Sequence, residues 1–461
     1  MQLKRLSQSE LARKLSIWTV SILLLFFAFF SNSWHVAEQQ WFDSHQRDTE
    51  SLVVGRMVKS RQDGIFSAGG LTGAGIPHSI QQQWVSSKQI QDQYSAYLNE
   101  LTFDGYSPYM SQIGGQGILF SLLDRLIPLT PHAKLQLFYV LTSLLSAIAL
   151  TAIIYWFYRE FGWWVAISVV GSMVLSQWLT VFGRNLWWSL WAFYLPIIAV
   201  MHFLRHDKIP ANRQFITFGI VILISVFVKC FINGYEYMTT TLVMMMVPFI
   251  YYAIVDRWRA HQFLKLSLAA ISGSCVAIFL SLTLLCFQIG SVKGNFQDGV
   301  AHVVYSLGKR THGEADSFPP QYAASLEAGT IEVVTTYIEG TFFEPSSQLS
   351  GSNSFVSRFL FKVRYSHLMV AFIVMSVLLF VRGDEKRRQH RIALICATWF
   401  SILAPLSWYV IFKAHSFIHT HMSYLLWQMP FTFFGFAICG WVLKNAFSDL
   451  IRLTARLVAR D

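Results

Sequence analysis

Ten apolar stretches, at roughly 17–33, 136–157, 163–181, 186–204, 214–231, 237–255, 264–287, 367–381, 392–411 and 421–443, leave this chain few ways to fold. A run of about 20 apolar residues spans the hydrocarbon core of a bilayer as a helix. Inside that core every backbone polar group must be satisfied internally, which leaves helices and closed barrels. Only 13% of the 461 residues are charged, about half the fraction usual in a soluble domain. The expectation is an all-α polytopic membrane protein of about ten transmembrane helices. The third and fourth stretches are separated only by Phe182-Gly183-Arg184-Asn185 and are expected to form a tight helical hairpin.

Lysine and arginine in the connections set the orientation. With a cytoplasmic N-terminus, the cytoplasmic pieces 1–16, 157–162, 205–213, 256–265, 382–391 and 444–461 hold 20 basic and 8 acidic residues, and the rest of the chain holds 16 and 17. The formal charge of +11 is therefore mostly positive-inside bias, and a nucleic-acid partner is excluded. The first stretch has a basic lead (Lys4, Arg5, Arg13, Lys14) and a small-residue site at Ser31-Asn32-Ser33, the marks of a signal peptide. With nine more stretches behind it, it reads as a signal anchor. All five cysteines lie in proposed spans, so the large loops hold no disulfide framework.

The spans divide the chain into a cytoplasmic N-terminus and first helix (1–33), a first extracytoplasmic loop (34–135), helices two to seven (136–287), a second extracytoplasmic loop (288–366), and helices eight to ten with a cytoplasmic tail (367–461). The first loop opens on a helical pattern from Asp48 to Arg61, with Leu52, Val53 and Met57 on an apolar side and Glu50, Arg56, Lys59 and Arg61 polar. Asp48 or Thr49 suits its N-cap. A short amphipathic helix straight after a span is expected to lie along the interface, which keeps its carboxylates level with lipid phosphates.

The short outer connections are polar in type: Gly183-Arg184-Asn185, then Asn233 to Tyr237 with Glu236, then Lys413 to His421 with His415, His419 and His421. For Asp48 and Glu50 the functional reading is a general base for an acceptor hydroxyl; the bland one is first-turn carboxylates favoured by the helix dipole. Glu236 reads as a site residue or a plain interface carboxylate. His415 and His419 share a helix face and read as part of a divalent-metal site, as phosphate donors or as interface histidines. Arg184 and Lys413 could hold a phosphate or snorkel to headgroups, and Lys309, Arg310, His312, Arg358, Lys362 and Arg364 make the second loop basic. The glycine-rich Asp104–Gly117 segment lacks P-loop spacing, so a nucleotide site is rejected.

Together these features resemble the GT-C glycosyltransferase superfold, whose members carry, after the first span, an interfacial helix with an acidic Asp-Glu motif and an Arg about two turns on. Asp48, Glu50 and Arg56 correspond to it, with Asp-Thr-Glu here in place of adjacent Asp-Glu, so Asp43, Asp48 and Glu50 all stay open as the base. The resemblance covers the layout and the first 135 residues. It implies a polyprenyl-phosphate sugar donor, a glycan or lipid-linked acceptor, a divalent metal in some members, and polysaccharide biosynthesis in a membrane, here expected to be a bacterial inner membrane with the endoplasmic reticulum as alternative. On this reading Asp48 and Glu50 are catalytic, while Arg56, Arg184, Glu236, Lys413, His415 and His419 bind substrate. Two other readings stand beside it: an O-antigen-type polymerase or ligase working through Arg184, Arg310, His312 and the 415–421 histidines, and a lipid or polysaccharide transporter or flippase. The transporter reading is weakened by ionisable residues gathered at one face, where transporters place them near the midplane.

Overall fold

The computed structural model describes residues 8–77, 86–205, 211–344, 362–382 and 385–458. Among them, eight helices are long and apolar enough to cross a membrane, and the chain is an all-α, multi-pass membrane protein. Helix α1 (Gln8–Ser31) leads into a domain built beside the bundle from α2 (Gln39–Ser44), α3 (Arg47–Asp63), β1 (Gly73–Pro77), α4 (Ser86–Leu98), β2 (Phe103–Pro108) and α5 (Gly115–Leu126). The two strands pair antiparallel, with Gly73 opposite Pro108 and Ile76 opposite Gly105.

Next come α6 (Pro131–Phe161), α7 (Trp163–Val174), α8 (Gln177–Phe182), α9 (Leu190–Arg205), α10 (Ala211–Asn233), α11 (Met238–Val255) and α12 (Ala260–Lys293). A second insertion carries α13 (Phe296–Arg310), α14 (Ala323–Glu327), α15 (Thr330–Ile338) and a small ribbon of β3 (Thr341–Phe343) and β4 (Val363–Arg364). The chain closes with α16 (Tyr365–Arg382), α17 (Arg388–Ser401), α18 (Leu403–Ile411), α19 (Lys413–Ile418), α20 (Thr420–Ser423) and α21 (Phe431–Val458). Helices α17 and α18 together make up one of these eight, a stretch of 24 residues.

Three expectations need correction. The last span starts at Phe431 rather than 421. Met422, Leu425, Leu426 and Trp427 are apolar but buried in a run of short turns, so hydropathy alone carried the span too far. The hairpin at 163–204 is shorter and more broken than expected. Helix α7 ends at Val174, and Ser176 caps α8 by accepting from Leu179 N at 3.2 Å. Lastly, α3 does not lie on a surface. Most of its residues from Glu50 to Ser60 are buried in the first insertion, and a Cβ on Gly55 would sit 2.4 Å from the Gly73 carbonyl of β1. Only glycine lets the strand come that close.

Asp124 of α5 ties this insertion to the bundle. Only 2% exposed, its carboxylate accepts two bonds from Arg61 of α3 (2.6 and 2.7 Å) and one from Tyr97 of α4 (2.8 Å), with Lys134 of α6 at 3.3 Å. Burial would raise the Asp124 carboxyl; the bonds from Arg61 and Tyr97 outweigh it and hold the group below the usual carboxylate range.

The segment from Trp163 to Phe182 leads to Arg184, whose guanidinium reaches the Phe30 carbonyl at 3.4 Å, beside the end of α1. Helices α7 and α9 are shorter than the eight, and labelling tests whether this segment crosses as a pair to make ten. Cysteine labelling of a cysteine-free background should place Phe66→Cys, Arg184→Cys and Gln321→Cys on one side and Glu385→Cys on the other. Finding Glu385→Cys with the first three would overturn this arrangement.

Candidate active site

A cavity of about 580 Å³ opens at the end of the bundle where α1 meets the first insertion. Its wall joins Asp48 of α3, Trp187 and Trp188 from the α8–α9 turn, Glu236 from the α10–α11 turn, Arg310 at the end of α13, and His415, His419 and His421 around α19 and α20. Residues far apart in the chain thus meet because every one lies in a connection at the same end of the bundle.

The Glu236 turn is tightly specified. Gly234 and Tyr237 both take left-handed backbone (φ 58° and 55°), which costs a tyrosine energy that packing must offset. Tyr237 stacks on Trp188 at 5.5 Å and meets Trp408 edge-on at 5.3 Å. The Lys229 ammonium donates to the carbonyls of Gly234 (2.9 Å) and Glu236 (2.6 Å). These contacts aim the Glu236 carboxylate into the cavity, with Oε1 at 3.5 Å from Arg310 Nη1 and Oε2 at 3.5 Å from His415 Nε2. Arg310 in turn donates to the Tyr109 hydroxyl at 3.3 Å.

Burial alone would raise the Glu236 carboxyl, but the adjacent Arg310 guanidinium holds it below the ordinary value. Burial also lowers His415 to about 3, so His415 is neutral and Arg310 is the cation that keeps Glu236 ionised. His419 is lowered by burial too, with Glu236 and Asp48 opposing. Three shielded polar atoms here, Glu236 Oε2, His415 Nδ1 and His419 Nδ1, have no hydrogen-bond partner among the described residues. Native interiors leave few such atoms. A ligand would supply the missing partners.

Asp48 enters from the side. Helix α3 begins one residue earlier than expected, after Gln46 in left-handed backbone, and no side chain caps it. Gln46 is clamped by Trp188 Nε1 (3.2 Å to Oε1) and Asn185 Nδ2 (3.3 Å to the carbonyl), which fixes the start of the helix against the α8–α9 turn. Asp48 therefore sits in the first turn instead of capping it. Its carboxylate is exposed to the cavity, with no hydrogen-bond or ion-pair partner among the described residues.

The other expected site residues do other work. Glu50 is buried and fully engaged: Tyr94 and Tyr139 hydroxyls donate to Oε1 at 2.5 and 2.7 Å, and Leu186 N to Oε2 at 3.0 Å. It lines a separate polar cavity of about 250 Å³ with Arg184. Arg184 pairs with Asp43 at 2.9 Å and lies 4.1 Å over the Phe42 ring. Arg56 is fully buried and donates to the carbonyls of Ser67 (2.5 Å), Gly64 (3.0 Å) and Ile65, holding the turn after α3. Lys413 donates to the Leu326 and Ala328 carbonyls, both at 2.7 Å, and fastens the second insertion. Lys362 and Arg364 pair with Glu344 and Glu339 at 3.0 and 2.7 Å. His312 contacts the Val410 carbonyl at 3.0 Å, and Arg358 lies outside the described residues. Of the expected set, the structure brings together Asp48, Glu236, His415 and His419, and separates Glu50, Arg56, Arg184 and Lys413 from them.

Arg310 is the cation the sequence reading left out of the site. For the glycosyltransferase reading it counted only among six loop basics, although the polymerase or ligase reading gave it a working role, and the nearest signal was its place as the last residue of a helix. Among the described residues no three His, Cys, Asp or Glu side chains converge as a ligand set. Compared with family models, curated proteins and solved structures, the chain has no match.

Buried neutral histidines carry a pH consequence. Burial lowers both His45, 8% exposed, and His415, 5% exposed, to about 3, whereas each binds a proton near 6.5 when unfolded. Between those values the unfolded chain holds more protons. Stability present above about pH 6.5 should therefore fall as pH drops, by about 1.4 kcal/mol per pH unit for each histidine. Thermal unfolding in detergent at pH 7.5 and pH 5 checks this, and an unchanged midpoint would contradict it.

Proposed function

We propose that the Asp48 cavity is a glycosyltransferase site that moves a sugar from a polyprenyl-phosphate donor to a glycan or lipid-linked acceptor on the outer face of a bacterial inner membrane, with a GT-C-like fold. The observation that carries this reading is one unpaired carboxylate, Asp48, sharing a cavity with Arg310 and with orphaned polar atoms on Glu236, His415 and His419. Asp43 and Glu50 are each engaged elsewhere, which favours Asp48 as the base.

Asp48 takes the proton of an acceptor hydroxyl. The oxygen forms a bond to the anomeric carbon while the bond to the phosphate oxygen breaks. The leaving polyprenyl phosphate gains charge, which Arg310, Lys309 and imidazole N–H donors are placed to stabilise. Leu52, Ile418 and Met422 in the same wall offer apolar contact to the first part of the lipid.

The same Arg310 and histidines favour a second reading, a polymerase or ligase that needs no carboxylate base. The test is direct. Purified protein is given a radiolabelled polyprenyl-phosphate sugar and a panel of lipid-linked and glycan acceptors, and transferred label is counted for wild type and Asp48→Asn. Transfer lost with Asp48→Asn supports the first reading. Transfer that survives Asp48→Asn and is lost with Arg310→Gln moves the assignment to the second.

A further inference from the structure

At the opposite end of the bundle from the Asp48 cavity, an open cleft of about 360 Å³ lies between α1, α6 and α9. Lys14 lies roughly 25 Å along α1 from Ser31 at 1.5 Å per residue, so the two cavities serve opposite faces of the membrane. Among the described residues, the wall of this one carries Lys14, Arg159, His202 and Arg205 from three helices and no carboxylate.

Tyr155 organises two of these cations. Arg159 Nη1 donates to its hydroxyl at 3.0 Å, and Lys14 Nζ stands 5.7 Å from its ring centre. Trp18 packs on the same ring at 5.9 Å. Its indole N–H is shielded from solvent yet has no acceptor among the described residues. Indole can only donate, and a donor left without an acceptor is an exception that calls for one. Lys14, Arg159 and His202 are exposed and Arg205 is half-buried, and all four line one open cleft between α1, α6 and α9. Phosphate oxygens, acceptors that carry negative charge, would satisfy both the cations and the indole.

We propose that this cavity binds the phosphodiester headgroup of an anionic phospholipid from the leaflet on that side, its acyl chains remaining in the bilayer. Basic pockets between transmembrane helices are suited to such headgroups. The inference is independent of any sugar transfer at the other face.

Native mass spectrometry of the full-length protein in non-ionic detergent tests it, by titration with dioleoyl phosphatidylglycerol and, separately, dioleoyl phosphatidylcholine. The anionic lipid should bind at least about tenfold more tightly. Each cation near a headgroup counts for about fivefold, so Arg159→Gln combined with Arg205→Gln should weaken binding by about 25-fold. Trp18→Phe keeps the ring and removes only the donor, and should cost about tenfold. Arg452→Gln, which alters an exposed cation near the end of α21, should leave binding unchanged. Equal affinity for the two lipids, or an equal loss with Arg452→Gln, overturns the proposal. Displacement of the lipid by the same concentration of glycerol phosphate also overturns it, and would assign the cavity to a soluble phosphate ester.

Discussion

Asp48→Asn is expected to lower sugar transfer by about 10²–10⁴-fold, the usual contribution of a positioned general base, in a protein that still folds and inserts. The side chain makes no bond that asparagine would break among the described residues. Losing a first-turn charge costs only about 0.3–1 kcal/mol of helix stability. Glu50→Gln makes the contrast. That carboxylate accepts from two phenols and a backbone N–H, so its loss should appear as lowered thermal stability, with turnover per folded molecule less affected. Transfer assayed at matched amounts of folded protein separates the two. Near-normal turnover by Asp48→Asn would remove it as the base.

The second large effect is expected at Arg310. Its partner Glu236 opens only to the cavity, with side-chain exposures of 16% for Arg310 and 10% for Glu236. Removing one member of such a pair leaves a buried charge without compensation and typically costs about 3–5 kcal/mol. Arg310→Gln should therefore lower the unfolding midpoint sharply. Adding Glu236→Gln should recover much of the loss, because the orphaned charge is then gone. Transfer should stay impaired in both variants, since the leaving phosphate has lost its guanidinium. A double variant no more stable than Arg310→Gln alone would show that the pair is not an energetic unit.

What the sequence disclosed follows from the range of each signal. Apolar runs report local burial, and the helices they predict lie close to the observed ones from α10 to α12. The same signal misplaced the last span, because Leu425, Leu426 and Trp427 are equally apolar whether they face lipid or pack behind a cavity. Pro430, just ahead of α21, was the local clue to its start. Placing the outer-face connections on one side also grouped Asp48, Glu236, His415 and His419 as candidates. Pairing was beyond reach. Nothing local tells Arg184, tied to Asp43, from Arg310, aimed at Glu236, since the partner carboxylate of each is far away in the chain. Likewise Glu50 and Asp48 share one helical turn, and only the positions of Tyr94, Tyr139 and Leu186 decide which of them keeps a carboxylate open to the cavity.

The order in which the cavity's walls are synthesised has its own consequence. Glu236 leaves the ribosome well before Arg310, by roughly 4–15 s at about 5–20 residues per second, and the His415–His421 segment follows later still. During that interval the carboxylate has no guanidinium to answer it. Lys229, made just before, can already grip the carbonyls on either side of Tyr235, so the turn can take shape while water at the outer face hydrates its charge. The cavity closes only when almost the whole chain has been threaded into the bilayer. A nascent chain stalled before Arg310 would present an unanswered carboxylate in an open groove, and one stalled between Arg310 and His415 would hold the ion pair in a groove that has yet to close.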